Sequence, residues 1–280
     1  MFLVNGELKS TVSCLDRGLQ FGDGLFETIA VRNGEIMHWL EHWRRLSVGC
    51  RRLFIPEPDE SNLVNEIRSL IKGQNQQVIK LIYTRGESKR GYKFDKMFSQ
   101  QPFNSGPSRI LSCSDWPEFN PDNAVEGIAL FECLTRLAHQ PLLAGLKHLN
   151  RLENVLARNE WQDDIYAEGL MCDVNGLVME GTMSNLFMVN QGKLYTADLS
   201  FCGVAGITRQ RILRLANQEN IEANICEIKK ETLFSADEIF VCNSLIGIWP
   251  VKQIADKYFS TKKEDNPITR LMQQSIQHSL

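Results

Sequence analysis

The 280-residue sequence predicts an α+β protein of two domains with antiparallel or mixed sheets, and three observations carry that expectation. Asn-Gly dipeptides at 5–6, 33–34 and 175–176 each lie between apolar runs, the signature of tight antiparallel hairpins. Apolar residues recur every three or four positions at Leu40, Trp43, Leu46, Cys50, Leu53 and Phe54, which is helical spacing. The chain is also long enough for two cores at about 150 residues each, and the polar stretch from Trp116 to Asn123 carries two prolines suited to a connection.

Asn and Gly tolerate the positive φ that a type I′ turn demands, so three two-residue hairpins are expected. A fourth is expected where Leu186–Val189 and Lys193–Ala197 flank Asn190-Gln191-Gly192, read as a three-residue turn ending in Gly. Weaker helical periodicity covers 60–72, 151–162, 208–219 and 265–279. The connection divides the chain into a smaller domain, 1–115, and a larger one, 122–280. Residues 86–107, rich in Gly, Ser, Lys and Gln, read as a long exposed loop, and loops of that length usually serve a function.

Composition narrows the functional classes. Hydrophobic residues at 43% and charged residues at 23% are ordinary globular usage. With 31 basic against 34 acidic residues and no long basic block, a nucleic-acid partner is not expected. No window approaches the roughly 18 to 20 uninterrupted apolar residues of a membrane helix. Met1–Glu7 has no export signal, and the eight cysteines are scattered without a C-x-x-C pair, so a cytoplasmic protein with reduced thiols is expected.

Several motifs carry possible chemistry. His38-Trp39-Leu40-Glu41-His42 matches the inverted zinc-protease pattern H-x-x-E-H, but His38 follows the strand-like Glu35-Ile36-Met37 and precedes the helix, so the two-histidine geometry fails. Gly22-Asp23-Gly24 resembles a dinucleotide loop, yet position 27 is Glu and a strand follows, which rejects that reading. Gly203–Arg209 leads into the helix 208–219 through flexible glycines: either an anion site or an ordinary helix start capped by Thr208 or its neighbour. Lys147 is the only charged residue of the apolar stretch Pro141–Leu149, with Asn150 and Glu153 spaced as N-cap and N3 of a new helix. Burial would favour its neutral amine for Schiff-base chemistry, although many such lysines reach solvent. Glu180 is a buried carboxylate or the polar edge of a hairpin, and Arg45 falls away from the apolar stripe of its helix, which predicts a solvated face.

Taken in order, Asp16-Arg17-Gly18, Phe21–Thr28, His42-x-x-Arg45-Leu46, Lys147, Glu180–Phe187 and Gly206–Arg209 resemble the fold-type IV pyridoxal-phosphate enzymes over nearly the whole chain. Within that family, Ala144–Arg158 and Asn104–Leu111 are most similar to the aminodeoxychorismate lyase branch. The resemblance implies that Lys147, in the larger domain, bonds pyridoxal 5′-phosphate through its amine and that Glu180 holds the protonated pyridine nitrogen. It implies phosphate contacts from Arg45, Ile207, Thr208, Asn243 and Ser244, and places Val204 against one face of the cofactor ring.

The branch implies conversion of 4-amino-4-deoxychorismate to 4-aminobenzoate and pyruvate, a step of folate biosynthesis. Lys147 would be the base and Thr28 a helper in proton transfer. Arg90, with Tyr92 beside it, is the expected contact for a substrate carboxylate, because D-amino acid aminotransferases use an arginine at the matching position. Those enzymes carry His where this chain has Tyr92 and Tyr where it has Phe26, departures that argue against D-amino acid transamination. The alternatives are a branched-chain or D-amino acid aminotransferase and a non-catalytic vitamin B6 binding protein. A homodimer is expected by resemblance, with no nucleic-acid or membrane partner.

Overall fold

Asn5 and Gly6 both take positive φ, 54° and 84°, and turn β1 (Phe2–Val4) back into β2 (Glu7–Leu8), as the first Asn-Gly pair predicts. The computed structural model describes residues 1–88, 90–94 and 106–278. Next come the short helix α1 (Arg17–Phe21), the long strand β3 (Gly24–Arg32) and β4 (Glu35–Ile36), the last two joined by Asn33 and Gly34 at φ 50° and 82°. Two helices, α2 (Trp39–Leu53) and α3 (Glu60–Leu70), precede β5 (Gln76–Thr84) and β6 (Ser108–Asp115). The six strands form one antiparallel sheet in the order β2-β1-β6-β5-β3-β4. Alternation along β3 and β5 sends Leu25, Ile29, Ile79 and Leu81 to one face, where Leu46 and Cys50 of α2 and Leu63, Ile67 and Leu70 of α3 cover them.

The second sheet begins at β7 (Ile128–Leu137) and is followed by α4 (Leu152–Arg158), β8 (Tyr166–Asp173), β9 (Val178–Gly181), β10 (Asn185–Asn190) and β11 (Lys193–Ala197). After α5 (Ile207–Gln218) come β12 (Ala223–Cys226), α6 (Lys230–Phe234), β13 (Glu238–Asn243), β14 (Gly247–Ile254), β15 (Lys257–Tyr258) and α7 (Pro267–His278). Its nine strands are mixed, with parallel pairs at β11–β12, β14–β7 and β7–β8. The path from β10 through β13, β14, β7 and β8 to β9 closes on itself, because Asn185 pairs with Glu180.

Two turns differ from the expected ones. At 175–176 only Gly176 has positive φ; the carboxylate of Asp173 accepts from Asn175 N at 2.9 Å and Leu177 N at 2.8 Å, so a side chain shapes a longer turn. At 190–193 Asn190 pairs directly with Lys193, which leaves a two-residue turn of Gln191 and Gly192, both at positive φ. The expected helix 151–162 is only Leu152–Arg158, and Arg151 rather than Asn150 precedes it. The amide of Asn150 instead donates to Gly22 O at 3.2 Å.

Contacts divide the described chain into two compact units: Met1–Pro117 with Leu146–Asn150, and Glu118–Gly145 with Arg151–Leu280. The segment around Lys147, assigned from sequence to the larger domain, therefore belongs with the first unit. It runs along the edge of β3 that β4 leaves uncovered, with Phe26 N donating to Lys147 O at 2.9 Å and Leu149 N to Gly24 O at 3.0 Å.

Gly86 has φ 85°, and a Cβ there would lie 2.3 Å from the carbonyl oxygen of Gly106. Gly34 has φ 82° and nothing within 4 Å of such a Cβ. Gly86→Ala is expected to cost about 2 kcal/mol or more, and Gly34→Ala only about 1 kcal/mol, the difference being the backbone collision. Denaturant unfolding of the two variants side by side measures it.

Candidate active site

Lys147 is half-buried, and its Nζ lies over the ring of Phe26, 4.3 Å from the centroid. Phe26 and Thr28 are successive residues on one face of β3, while Glu27 points to the opposite, core-facing side and is 2% exposed. A carboxylate on the apolar side of a strand needs partners, and Glu27 has two from α2. His42 Nδ1 lies 2.6 Å from Oε2, and Arg45 donates through Nε to Oε1 at 2.8 Å and through Nη2 to Oε2.

Arg45 is thereby tucked against β3, with only 11% of its side chain exposed, rather than lying on the solvated face that helical periodicity predicts. A salt bridge formed across elements overrides the periodicity of one helix. Burial alone would raise the Glu27 carboxyl, but the charges and hydrogen bonds of Arg45 and His42 outweigh it and hold the group at about 2. Burial lowers the His42 imidazole below its ordinary value against the opposing pull of Glu27, and its Nδ1 faces the carboxylate. His38 stands before the helix at φ 52°, so the H-x-x-E-H residues do not converge.

In the second unit, Glu180 ends the β9 segment that pairs with β10 and is 3% exposed, so it is a buried carboxylate and not a hairpin edge. Its Oε2 accepts from Val204 N at 2.8 Å, and Asn185 Nδ2 reaches both that oxygen at 3.4 Å and Val204 O at 2.8 Å. Gly145 bridges to Val204 through Gly145 N to Gly203 O at 2.9 Å and Ala205 N to Gly145 O at 3.0 Å. Lys147 follows Gly145 by two residues. α5 starts at Ile207, with Thr208 buried in its first turn; its N-cap is Gly206, which has no side chain to occupy the free amides. A Cβ on Gly206 would fall 2.0 Å from Asn185 Oδ1, so that approach requires glycine. Asn243 donates to Met183 O at 3.1 Å and accepts from Leu245 and Ile246 N, which shapes the turn carrying Ser244.

Arg90 is exposed, and Tyr92 is 84% exposed. The expected loop 86–107 is described only at 86–88, 90–94 and 106–107; positions 89 and 95–105 lie outside the described residues. Its first part is held by Arg17, which donates to Ser88 Oγ, Gly91 O and Tyr92 O at 2.9–3.0 Å and to Asp23 at 2.8 Å. Arg85 also grips Asp23, and burial of that carboxylate is outweighed by the two guanidiniums, which keep it below its ordinary range.

The profile of the family described as Amino-transferase class IV matches residues 24–254. The chain belongs to this family, the fold-type IV enzymes that depend on pyridoxal phosphate. It is 35% identical to an aminodeoxychorismate lyase of Vibrio harveyi, over 97% of this chain and 96% of that one. The crystal structure of a 4-amino-4-deoxychorismate lyase from Pseudomonas aeruginosa is 44% identical, with a TM-score of 0.91 and coverage of 100% and 99%. A D-alanine aminotransferase of Bacillus licheniformis is 27% identical over 99% and 96%. For this fold-type IV chain the donor set fits the cofactor chemically: an amine against an aromatic ring, a buried carboxylate held by an amide, an arginine, and a helix start whose amides no side chain occupies.

Sequence reasoning missed the roles of Glu27, His42 and Asn185. An acid at a position where strand alternation demands an apolar side chain was the available signal for Glu27. Because its carboxyl is depressed from the ordinary 4.5 to about 2, the pair's stabilisation is complete above about pH 5 and is lost as pH falls towards 2. Glu27→Gln is expected to cost about 3 kcal/mol at pH 7 and to flatten that acid limb, as urea unfolding at pH 7, 5 and 3 will measure.

Proposed function

We propose that the enzyme is a pyridoxal-phosphate-dependent carbon–oxygen lyase that converts 4-amino-4-deoxychorismate to 4-aminobenzoate and pyruvate, a step in making 4-aminobenzoate for folate. The observation that carries this reading is end-to-end similarity, at 35% and 44% identity, to two lyases of that name. When bound, the cofactor supplies an electron sink for the carbon that carries the substrate nitrogen.

Lys147 would hold the cofactor through its amine and, with that amine free, would be the base that takes the proton from the substrate carbon bearing nitrogen. The bond to the enolpyruvyl oxygen then breaks, the ring becomes aromatic, and Lys147 returns a proton so that the departing group leaves as pyruvate. Phe26 holds the lysine amine against an apolar ring face, which limits water around it. Glu180 keeps the ring nitrogen protonated, oriented by Val204 N and Asn185. Val204 would pack against one face of the cofactor ring. Arg45, Ile207, Thr208, Asn243 and Ser244 hold the phosphate, and Glu27 fixes the Arg45 fork. Thr28 assists proton transfer on the Phe26 side of β3, and Arg90 with Tyr92 meets a substrate carboxylate.

The aminotransferase alternative shares every cofactor residue, with the D-alanine aminotransferase relative as its support. Among the described residues no helix is long and apolar enough to cross a membrane. Cytoplasmic location and a homodimer complete the reading; exposed Leu134, Leu142, Leu152 and Leu156 are apolar side chains of the sort a second copy covers.

The purified enzyme is expected to be yellow, borohydride to fix the cofactor on Lys147, and Lys147→Ala to lose at least about 1,000-fold in turnover. Pyruvate release coupled to lactate dehydrogenase, followed together with 4-aminobenzoate, is the deciding assay. Amino exchange from D-alanine or isoleucine without pyruvate from aminodeoxychorismate would replace the lyase by the transaminase.

A further inference from the structure

The ring of Phe26 has a second amine over it. Lys80 Nζ lies 4.3 Å from the same centroid that Lys147 Nζ approaches at 4.3 Å, so the two amines are at most twice that distance apart. The register explains the arrangement: Thr28 faces Lys80 directly across β3 and β5, and Phe26 faces Ile82, which puts Phe26, Thr28, Lys80 and Ile82 on one face of the sheet. Glu27, the acid nearest in sequence, is on the other face and is taken by His42 and Arg45.

Among the described residues no carboxylate forms a salt bridge with Lys80, and its amine lies over the ring of Phe26. Lys80 as a whole is exposed, so an incoming ligand can reach its amine. Burial of its stem lowers the Lys80 amine below the ordinary lysine value, with no compensating acid. A cation that is partly stripped of water and lacks a counter-charge, on the face that carries the reactive lysine, is arranged to gain from an incoming anion.

We propose that Lys80 is a substrate-binding residue that receives one carboxylate of the dicarboxylate substrate while the substrate carbon bearing nitrogen faces Lys147. This rests on the lyase reading above and adds to it a specificity element on the strand β5, separate from Arg90. A substrate with a single carboxylate next to its amine uses fewer of these contacts, so Lys80 favours dicarboxylate over simple amino-acid substrates.

The test uses the holoenzyme and its Lys80→Met and Lys80→Arg variants. Loss of a charge-assisted contact should raise KM for 4-amino-4-deoxychorismate about 10-fold or more while kcat stays within about twofold, and Arg should recover most of the loss. Chorismate, which has the same carboxylates but a hydroxyl in place of the amine, should bind Lys80→Met about 10-fold more weakly by calorimetry. If the Met variant melts early, Lys80→Gln serves in its place. Unchanged KM and chorismate affinity in a variant of normal stability would overturn this inference alone, as would weakened cofactor retention without weakened chorismate binding. Absence of pyruvate release by the unaltered enzyme overturns the lyase reading and this inference with it.

Discussion

Two backbone hydrogen bonds, Phe26 N to Lys147 O and Leu149 N to Gly24 O, fix the Lys147 segment to the edge of β3. Much of the first unit's chemistry depends on that attachment. The pairing sets the lysine backbone in register with Phe26, so the amine reaches the ring, and β3 alternation then determines which neighbours share its face. Thr28 and, through β5, Lys80 lie on the same side as Phe26, whereas Glu27 with its His42 and Arg45 partners lies on the other. A one-residue slip of the lysine segment would exchange these environments.

Several buried acids among the described residues are matched by identifiable partners. Glu27 is satisfied by Arg45 and His42, Asp23 by Arg85 and Arg17, and Glu180 accepts from Val204 N. Each match also orders backbone: Arg17 ties down the segment from Ser88 to Tyr92, and the Glu180–Asn185 pairing is the one that closes the strand path of the second sheet. Glu168 plays a comparable part, accepting from Thr182, Met183 and Ser184 and so shaping the link between those two paired residues. Removing Glu27 or Asp23 leaves a guanidinium without its partner, and removing Glu168 or Glu180 leaves backbone amides without their acceptor, which is why such residues can matter to function without touching substrate.

Local rules were legible where one side chain or one dipeptide decides the backbone. The Asn-Gly pairs at 5–6 and 33–34 became the expected turns, and the helix 39–54 became α2 within a residue of its expected end. They failed where a distant or side-chain partner intervened: Asp173 reshaped the turn at 175–176, and Asn150 bonded Gly22 instead of capping a helix. Arg45 is the clearest case, since helical geometry places it outward and only the acid on β3 draws it in.

Sequence by itself determined the α+β class and the order of the motifs and hence the family, because these depend on short-range periodicity and on residue types at set spacings. Tertiary structure decided that the lysine segment joins the first unit, that Glu27 anchors Arg45, and that Lys80 shares a ring with Lys147. Those outcomes arise from pairing between strands and helices far apart in the chain, where register and the need to neutralise buried charge select partners that no local pattern encodes.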